Sequence, residues 1–346
     1  MRLHPGAWWV WGLCLAAVAS RTTNPLLLGL IVAVAGFVAV RCRQDTPWAG
    51  SYGVFLVFGL IVIGVRVVLH ILVGGIEGPT VLFTLPRVPL PEWARSIRLG
   101  GPVTAEGLVF SICQGMQLAT LLACVGAVNA LANPKRLLRS LPAALYEVSV
   151  AVVVALTVAP QLVASARSVR RARILRGDAV RGARAVRMLL VPVLQDALDR
   201  SLLLAASMDA RGYGRGAGVS TPARRLTGAL VLAGLFGMCV GAYGLLAGDA
   251  PVLVGAPMLA VGAALGIGGL LVGSRRVHRS RYRPDPWRPV EFAVLGSGIA
   301  ALAVTIVAEA VGTAQLVYAS VPLTAPDLPL LPAAGVLIAL LPAVFA

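Results

Sequence analysis

Nine apolar stretches recur from one end of this chain to the other, and they constrain the fold more than any other feature. A segment of about 20 apolar residues is long enough to cross the hydrocarbon core of a bilayer. Hydrocarbon offers no water to the backbone, so a crossing segment must satisfy its N–H and C=O groups internally, as a helix does. The stretches are Ala7–Ala19, Pro25–Val40, Tyr52–Val73, Val103–Val128, Tyr146–Ala164, Leu226–Ala247, Val252–Val272, Glu291–Val311 and Leu328–Phe345.

The composition supports the same conclusion. Of the 346 residues, 58% are hydrophobic and 13% are charged, whereas an ordinary soluble domain has roughly 45–50% and about 25%. The six tryptophans lie at or near the ends of the apolar stretches, where interfacial aromatic residues are enriched. We therefore predict an all-α fold, a polytopic integral membrane protein built as a helical bundle with amphipathic cytoplasmic helices.

The first stretch has a second interpretation, a cleaved signal peptide, because Ala17-Val18-Ala19 has the small residues of a cleavage site. However, only one arginine precedes this stretch, the apolar run carries three tryptophans, and another hydrophobic segment follows at once. These features favour a helix that the mature protein retains.

The basic residues indicate which loops face the cytoplasm. The net charge is +16, and Lys135 is the single lysine among thirty basic residues. Residues 166–225 contain thirteen arginines and four aspartates, and residues 275–288 contain six arginines and one aspartate. Cytoplasmic loops carry an excess of Lys and Arg, so we place both tracts on the inner side of the plasma membrane, where anionic lipid headgroups attract them. No nucleic-acid partner is expected, because it would need this charge on a soluble face.

The same rule assigns the other loops. Arg41 and Arg43 mark an inside loop, whereas Gly248–Ala250 and Gly312–Asp327 contain no Lys or Arg and are placed outside. The loop Arg87–Arg98 is also placed outside, although it carries three arginines, which the rule disfavours.

One apolar stretch breaks the alternation. Basic residues on both sides of Tyr146–Ala164 indicate the cytoplasm, and a single crossing cannot connect two inside loops. Because Pro142 and Pro160 bracket this stretch, we expect a helix that lies against or dips into the inner face. The basic residues concerned are Lys135, Arg136, Arg139 and the arginines from Arg167 onward.

Two helical stretches in the first basic tract end in the same way. Ala172-Arg173-Ile174-Leu175-Arg176-Gly177 and Met208-Asp209-Ala210-Arg211-Gly212 both run out in Arg-Gly, and the two arginines are 35 residues apart. A glycine just past the last helical residue adopts left-handed dihedrals without a Cβ penalty and commonly ends a helix. The arginine before it is then held at an exposed tip, where its planar guanidinium can grip carboxylates or carbonyls in a partner's groove. Two such tips indicate a partner that offers the same groove twice, such as a dimeric ATPase.

The segment Leu194–Arg211 has the apolar spacing of an amphipathic helix, with Asp196, Asp199 and Arg200 on its other face. A helix that lies on lipid is one explanation of this pattern. Lipid binding needs basic residues along a face and has no use for one arginine at a glycine-terminated tip, so the repeated ending favours a protein partner.

Motifs for catalysis and for cofactor binding are missing from the sequence. A P-loop needs a lysine directly after its last glycine, and the single lysine follows Pro134. The glycine-rich run Gly212–Gly218 follows a helix, where a dinucleotide-binding loop must follow a strand. The five cysteines have no Cys-x-x-Cys spacing, and the three histidines, His4, His70 and His278, are far apart. We predict no catalytic residue, no cofactor and no bound metal, so the chain is not expected to be an enzyme.

The residues around the two Arg-Gly endings resemble a known family. The run Ser201–Gly214 resembles the second signature of the transmembrane T component of energy-coupling-factor (ECF) ABC transporters, which import vitamins and Ni or Co ions. Arg170–Gly177 resembles the first signature, which is normally Ala-Arg-Gly and here has Leu175 in place of the alanine. Thr104–Gly107 and Asn24-Pro25 give weaker support. The resemblance is specific from about residue 103 to residue 225 and loose before that.

The resemblance implies a membrane scaffold. Its coupling helices dock into two ABC ATPase subunits, and its membrane helices hold a small membrane-embedded S component that binds the vitamin or metal. The chain then divides into N-terminal membrane helices (1–128), a coupling region (129–225) and C-terminal membrane helices (226–346), of which the part after about residue 250 exceeds the family pattern. The ATPase-binding residues that the resemblance implies are Arg176, Gly177, Ala210, Arg211 and Gly212.

Two other functions are compatible with an apolar chain of this kind. An autonomous secondary transporter or channel needs ionisable residues along a path through the membrane, and the candidates are Arg66, His70, Glu147 and Glu309. Ion pairs that support the helix bundle are the alternative explanation for these residues, and no inverted repeat of broken helices is evident. A membrane enzyme is the other candidate, and no nucleophile–base pair or metal-ligand spacing supports it.

Two further motifs predict how the C-terminal membrane helices pack. Gly237-x-x-x-Gly241 and Gly262-x-x-x-Gly266 place small residues four apart, which lets helix backbones approach closely. The alternative is that they simply reflect a chain with 38 glycines.

Overall fold

The computed structural model describes residues 3–42, 51–74, 78–88, 99–132, 134–139, 146–177, 183–213, 221–247, 251–276, 287–312 and 316–345. Its helices are α1 (Pro5–Ser20), α2 (Pro25–Arg41), α3 (Ser51–Val73), α4 (Ala105–Leu131), α5 (Pro134–Arg139), α6 (Tyr146–Leu175), α7 (Ala183–Ala210), α8 (Thr221–Leu246), α9 (Ala256–Arg276), α10 (Pro289–Ala310) and α11 (Leu330–Ile338). Two strands, β1 (Val81–Val88) and β2 (Leu99–Thr104), precede α4, and short 3-10 turns lie at Val252–Val254 and Leu341–Ala343.

The predicted all-α polytopic membrane fold is confirmed. All nine apolar stretches form helices. The loop charges predict that α6 lies against the inner face of the membrane, but this helix has the length and composition of a membrane-crossing helix. The shorter apolar helices are Pro5–Ser20, Pro25–Arg41 and Leu330–Ala343. Among the described residues, six helices are long and apolar enough to cross a membrane: Tyr52–Val73, Ala105–Leu131, Val148–Leu175, Arg225–Leu246, Ala256–Ser274 and Pro289–Ala310.

The hairpin of β1 and β2 is not predicted by the apolar pattern of the sequence. The two strands pair antiparallel, with Phe83 opposite Val103 and Leu85 opposite Gly101. They lie in the predicted external loop between α3 and α4, most of whose segment Arg87–Arg98 is outside the described residues. Strand pairing depends on hydrogen bonds between segments that are separated in sequence. The order of apolar residues along the chain does not indicate these hydrogen bonds.

The chain forms two compact units. One contains Met1–Leu137 together with Asp285–Ala346, and the other contains Leu138–Pro284. The units do not follow the three regions drawn from the sequence, because residues 226–346 are divided between them. In the first unit α10 packs on α1, and α11 packs on α10 and α2, so the last helices of the chain complete a bundle begun by the first ones.

The core of the first unit lies between α1, α2, α4, α10 and α11. Trp11 is fully buried there, and its indole N–H donates to the carbonyl oxygen of Ala339 at 3.1 Å. Lipid tails are as apolar as leucine side chains, so helices in a membrane are held by close packing rather than by removal from water. Gly298 permits such packing, because a Cβ atom at this position would lie 2.8 Å from the Cα atom of Trp11.

Polar contacts join α1 and α10 at both of their ends. At the beginning of the helices, the Glu291 carboxylate accepts hydrogen bonds from the backbone N–H groups of His4 and Arg288, both at 2.6 Å. At their other end, Arg21 forms an ion pair with Glu309 at 2.6 Å. Because the N-terminal ends of α1 and α10 lie side by side, and their C-terminal ends do so too, the two helices run parallel.

The segment after α10 is tied to the turn between α1 and α2. The Thr22 hydroxyl donates to the Leu316 carbonyl oxygen at 2.8 Å, and the Asn24 side-chain amide donates to the Asp327 carbonyl oxygen at 2.6 Å. The described part of the predicted external loop Gly312–Asp327 therefore lies at the end of the bundle opposite to His4 and Arg288. This geometry agrees with the alternation of loops that the arginines predict.

In the second unit, α8 and α9 pack through glycines. A Cβ atom at Gly237 would lie 3.0 Å from the Cα atom of Gly262, and one at Gly262 would lie 2.5 Å from the backbone nitrogen of Met238. A Cβ atom at Gly241 would overlap the backbone of Leu259. The predicted close approach of the helix backbones is confirmed at these three glycines. It is also seen at Gly266, because a Cβ atom at Gly234 on α8 would lie 2.7 Å from the Cα atom of Gly266, although the Cβ position of Gly266 itself faces open space.

Candidate functional site

The first Arg-Gly ending closes α6. Leu175 is the last residue of the helix, and the backbone N–H of Arg176 still bonds to the carbonyl oxygens of Ala172 and Arg173 at 3.2 and 3.0 Å. Gly177 then adopts φ +82°, and its N–H bonds to the Ile174 carbonyl oxygen at 3.1 Å. This left-handed glycine satisfies a carbonyl that the helix would otherwise leave free, and it ends the helix directly after Arg176.

The second ending closes α7 with the same geometry. Ala210 is the last helical residue, and Gly212 adopts φ +73° with its N–H bonded to the Asp209 carbonyl oxygen at 2.8 Å. The N–H of Tyr213 reaches back to the Met208 carbonyl oxygen at 2.9 Å, which completes the pair of bonds of a Schellman motif. The predicted left-handed glycine stop is therefore confirmed at both endings.

Both arginine side chains extend from exposed helix ends. Arg176, Gly177, Ala210 and Arg211 are exposed, and Gly212 is half-buried. Within the described part of the chain, neither guanidinium has a hydrogen-bond or ion-pair partner. Each keeps five N–H donors free to bind a carboxylate or a carbonyl of another molecule.

The two endings differ in the residues that precede the arginine. Leu175 is 87% exposed and follows Ile174, which is 55% exposed, whereas the second ending has Asp209 and Ala210 in the corresponding places. A leucine this exposed next to Arg176 presents an apolar contact that the alanine of the second ending does not. The two tips therefore share their backbone and their charge but not their adjoining side chains.

A polar contact joins α6 and α7. The carboxylate of Asp196 on α7 forms an ion pair with Arg200, four residues later, at 3.0 Å, and it accepts a hydrogen bond from the Ser165 hydroxyl on α6. The bonds from Arg200 and Ser165 hold the pKa of Asp196 below its usual range. The apolar spacing of α7 predicts a polar face for Asp196, but the sequence carries no signal for its contact with Ser165, which lies 31 residues earlier on another helix.

The predicted amphipathic helix is confirmed over Leu194–Ala210, which forms the second half of α7. Its large apolar side chains are largely exposed, among them Leu194 at 57%, Leu198 at 60% and Leu202 at 60%. An exposed apolar stripe beside a polar face suits either a membrane surface or a partner protein.

Among the described residues, the ionisable candidates for a secondary transporter lie in two separate places: Arg66 and His70 are one turn apart on α3, and Glu309 is at the end of α10. Arg66 on α3 donates to the side-chain oxygen of Gln114 on α4 at 2.7 Å, while Glu309 pairs with Arg21 at the end of α10. The ion-pair interpretation is therefore confirmed for Glu309. The side chain of Glu147 lies outside the described residues. Among the residues that the structure describes, no group of three His, Cys, Asp or Glu side chains is placed to hold a metal ion.

Comparison with known proteins identifies the family. The family model described as CbiQ, cobalt transport protein, matches residues 1–221, which include both Arg-Gly endings and end at the first residue of α8. No curated protein and no solved structure matches the chain significantly. The matched segment is more than half of the chain, so this protein belongs to the CbiQ family of cobalt transport proteins, as a multi-pass membrane component of a transporter rather than an enzyme.

Proposed function

We propose that this protein is the T component of an ECF-type ABC importer in the plasma membrane. In this role it couples ATP hydrolysis by two cytoplasmic ATPase subunits to the reorientation of a small S component, which carries a vitamin or a Ni or Co ion into the cell. Membership of a cobalt transport family supports the transport role, and the ATPase and S component are the partners that this proposal adds.

The observation that carries the proposal is the pair of matching helix tips. Gly177 and Gly212 end α6 and α7 with nearly the same φ, +82° and +73°, and leave Arg176 and Arg211 exposed at the ends of the helices. A dimeric ATPase presents equivalent grooves on its two subunits, and two arginines held in the same local geometry suit such a pair of grooves. The remaining proposed contacts are Ala210 and the two glycines, which let the groove approach the backbone closely.

The packing of α6 on α7 supplies a route for the coupling. Ser165 lies eleven residues before Arg176, and Asp196 lies fifteen residues before Arg211, so roughly 16 and 22 Å of helix separate the arginines from this contact. When ATP binding brings the two grooves together, each tip moves with its groove and the two helices tilt about their contact. Differential contacts in the two nucleotide states provide the free energy for this change.

The test is copurification of ATPase subunits with full-length variants from the native host. A charge-assisted hydrogen bond contributes roughly 1.5–3 kcal/mol, so we expect Arg176→Ala or Arg211→Ala to weaken ATPase binding roughly 10- to 150-fold. The double variant is expected to lose ATPase binding and transport while it still inserts into the membrane. Lysine at either position is expected to rescue poorly, because it keeps the charge and loses the planar fork.

Arg171→Ala is the matched control, since Arg171 is an exposed arginine on the body of α6. It is expected to bind ATPase subunits like the wild type. Equal weakening by Arg171→Ala and Arg176→Ala would show that diffuse positive charge, rather than the helix tip, binds the partner. A double variant that still assembles and transports would contradict the T-component proposal itself.

A further inference from the structure

Arg66 places a positive charge inside a membrane helix, and no carboxylate among the residues that the structure describes balances it. The candidate span Tyr52–Val73 contains Arg66 and His70 as its basic residues and has no acidic residue. The guanidinium of Arg66 donates one hydrogen bond, to the neutral side-chain oxygen of Gln114 at 2.7 Å. Within the described residues Arg66 has no other side-chain partner, so most of its five N–H donors and its full charge remain available.

The contact with Gln114 holds the guanidinium at a depth below the membrane surface. The Ser111 hydroxyl donates to the backbone carbonyl of Arg66, and Ser111 and Gln114 lie six and nine residues into α4. At 1.5 Å per residue these levels are about 9 and 14 Å from the start of the helix. Arginines near helix ends commonly extend toward the lipid headgroups. The backbone of Arg66 lies beside Ser111, but its guanidinium lies beside Gln114, so this side chain extends away from the nearer end of the helix.

The surface around Arg66 is open for a neighbouring helix. α3 packs mainly against α4, and only 6% of the most apolar part of the span is buried. Arg66 itself is exposed, as is Leu69, one turn further along the same side of the helix. An exposed charge at this depth is unfavourable against hydrocarbon and is stabilised by an opposite charge.

In its described membrane spans, a second copy of this chain offers no carboxylate that lacks a partner. In the described membrane spans the acidic residues are Glu106, Glu291 and Glu309. Each already has a partner: Glu106 accepts from the N–H of Thr80, Glu291 from two backbone N–H groups, and Glu309 pairs with Arg21.

We propose that the side of α3 around Arg66 is an interface for a membrane-spanning helix of a different subunit, which places an aspartate or glutamate beside the Arg66–Gln114 pair. The carboxylate binds the free edge of the guanidinium, where low dielectric strengthens the attraction. This inference rests on the charge and depth of Arg66 and does not depend on the ATPase contacts of α6 and α7. Normal ATPase binding by the Arg176→Ala and Arg211→Ala variants would therefore not contradict it.

The test is site-specific photocrosslinking of the full-length protein in membranes of its native host. A benzophenone amino acid replaces Leu69, which lies about 60° around the helix from Arg66, or Val68, which lies about 160° away. The two side chains are almost equally exposed, at 51% and 53%, so Val68 is the matched control. We expect a discrete adduct with another membrane protein from position 69, and diffuse or no labelling from position 68.

The Arg66→Met change is then combined with the crosslinker at position 69. We expect it to lower the yield of the adduct at least tenfold, and we expect Arg66→Lys to retain a larger part of the yield. The crosslinked span of the partner should contain an aspartate or glutamate. Changing that residue to arginine should restore the adduct in the Arg66→Glu variant, because the two opposite charges are then exchanged. Equal labelling from positions 68 and 69, an adduct between two copies of this chain, a lipid adduct alone, or a partner span without an acidic residue would each overturn the proposal.

Discussion

At the residue scale, the two helix tips depend on glycines that adopt positive φ. Gly177 and Gly212 have φ +82° and +73°, and a Cβ atom at either position would meet no other atom within 4 Å. Any effect of a small side chain there therefore comes from the backbone conformation and not from a clash. A left-handed conformation is roughly 1–2 kcal/mol less favourable for an L-residue with a Cβ atom than for glycine.

We predict that Gly212→Ala weakens ATPase binding by roughly fivefold. The docked tip requires the left-handed conformation at position 212, and alanine adopts it at a cost of about 1 kcal/mol. Gly212→Asn should bind more tightly than Gly212→Ala, since asparagine adopts the left-handed region more readily. The measurement is quantitative copurification of ATPase subunits. Gly228→Ala is the control, because Gly228 is a helical glycine on α8 that also has open space around its Cβ position. Identical behaviour of Gly212→Ala and Gly228→Ala would contradict the prediction.

At the element scale, α8 and α9 approach each other closely because glycines line their contact. Gly262 faces the backbone of α8 near Met238, whereas the Cβ position of Gly266, one turn later on α9, faces open space. Both glycines lie at the contact with α8, because a Cβ atom at Gly234 would lie 2.7 Å from the Cα atom of Gly266. Of the two, only Gly262 has its own Cβ position blocked by α8.

Gly262→Ala is expected to force the two helices apart and to lower the melting temperature in detergent by several degrees, since overpacking destabilises by typically about 1–3 kcal/mol. Gly266→Ala should leave the melting temperature unchanged or raise it slightly, because alanine favours a helix over glycine by up to about 1 kcal/mol. Equal melting temperatures for the two variants would mean that the glycine contact does not determine the packing of α8 on α9.

The joined ends of α1 and α10 give a second prediction at this scale. Glu291 is buried and accepts two backbone N–H groups, whereas Glu309 at the other end of α10 pairs with Arg21 and is 42% exposed. Glu291→Gln replaces one acceptor with a donor, so it should lower the melting temperature by several degrees, in line with roughly 1.5–3 kcal/mol for a hydrogen bond to a charged group. Glu309→Gln should change it little, because an exposed ion pair contributes about 0–1 kcal/mol. A larger effect of Glu309→Gln would refute this comparison.

At the scale of the whole molecule, residues outside the family match complete the bundle that the matched residues begin. The match ends at residue 221, yet α10 and α11 pack on α1 and α2 and bury Trp11 between them. The parallel arrangement of α1 and α10 places the first residues of both helices at the same end of the bundle.

This arrangement makes the membrane orientation testable. In a cysteine-free background, Arg181→Cys and Ser280→Cys should resist membrane-impermeant thiol reagents in intact cells, because both lie in arginine-rich tracts that the charge rule places inside. Asp249→Cys and Ala325→Cys should react, since both lie in segments without Lys or Arg. Labelling of position 181 from outside would reverse the orientation of the coupling region.

The sequence by itself determined the features that are local. The apolar stretches predicted the membrane helices, since a run of apolar residues of sufficient length is the physical requirement for crossing a bilayer. The Arg-Gly endings predicted the left-handed stops at Gly177 and Gly212, because the preference for glycine at such a position acts within one turn of helix.

Only the tertiary structure decided which helices pack together and which polar groups meet. The partners Glu291 and His4 are 287 residues apart, Asp196 and Ser165 lie on different helices, and the hairpin of β1 and β2 pairs segments on either side of a loop. Nothing in the local pattern separates Gly262 from Gly266, or shows that Arg66 meets a neutral amide. These outcomes depend on the relative rotation of whole helices, which is set by the sum of many contacts between residues distant in sequence.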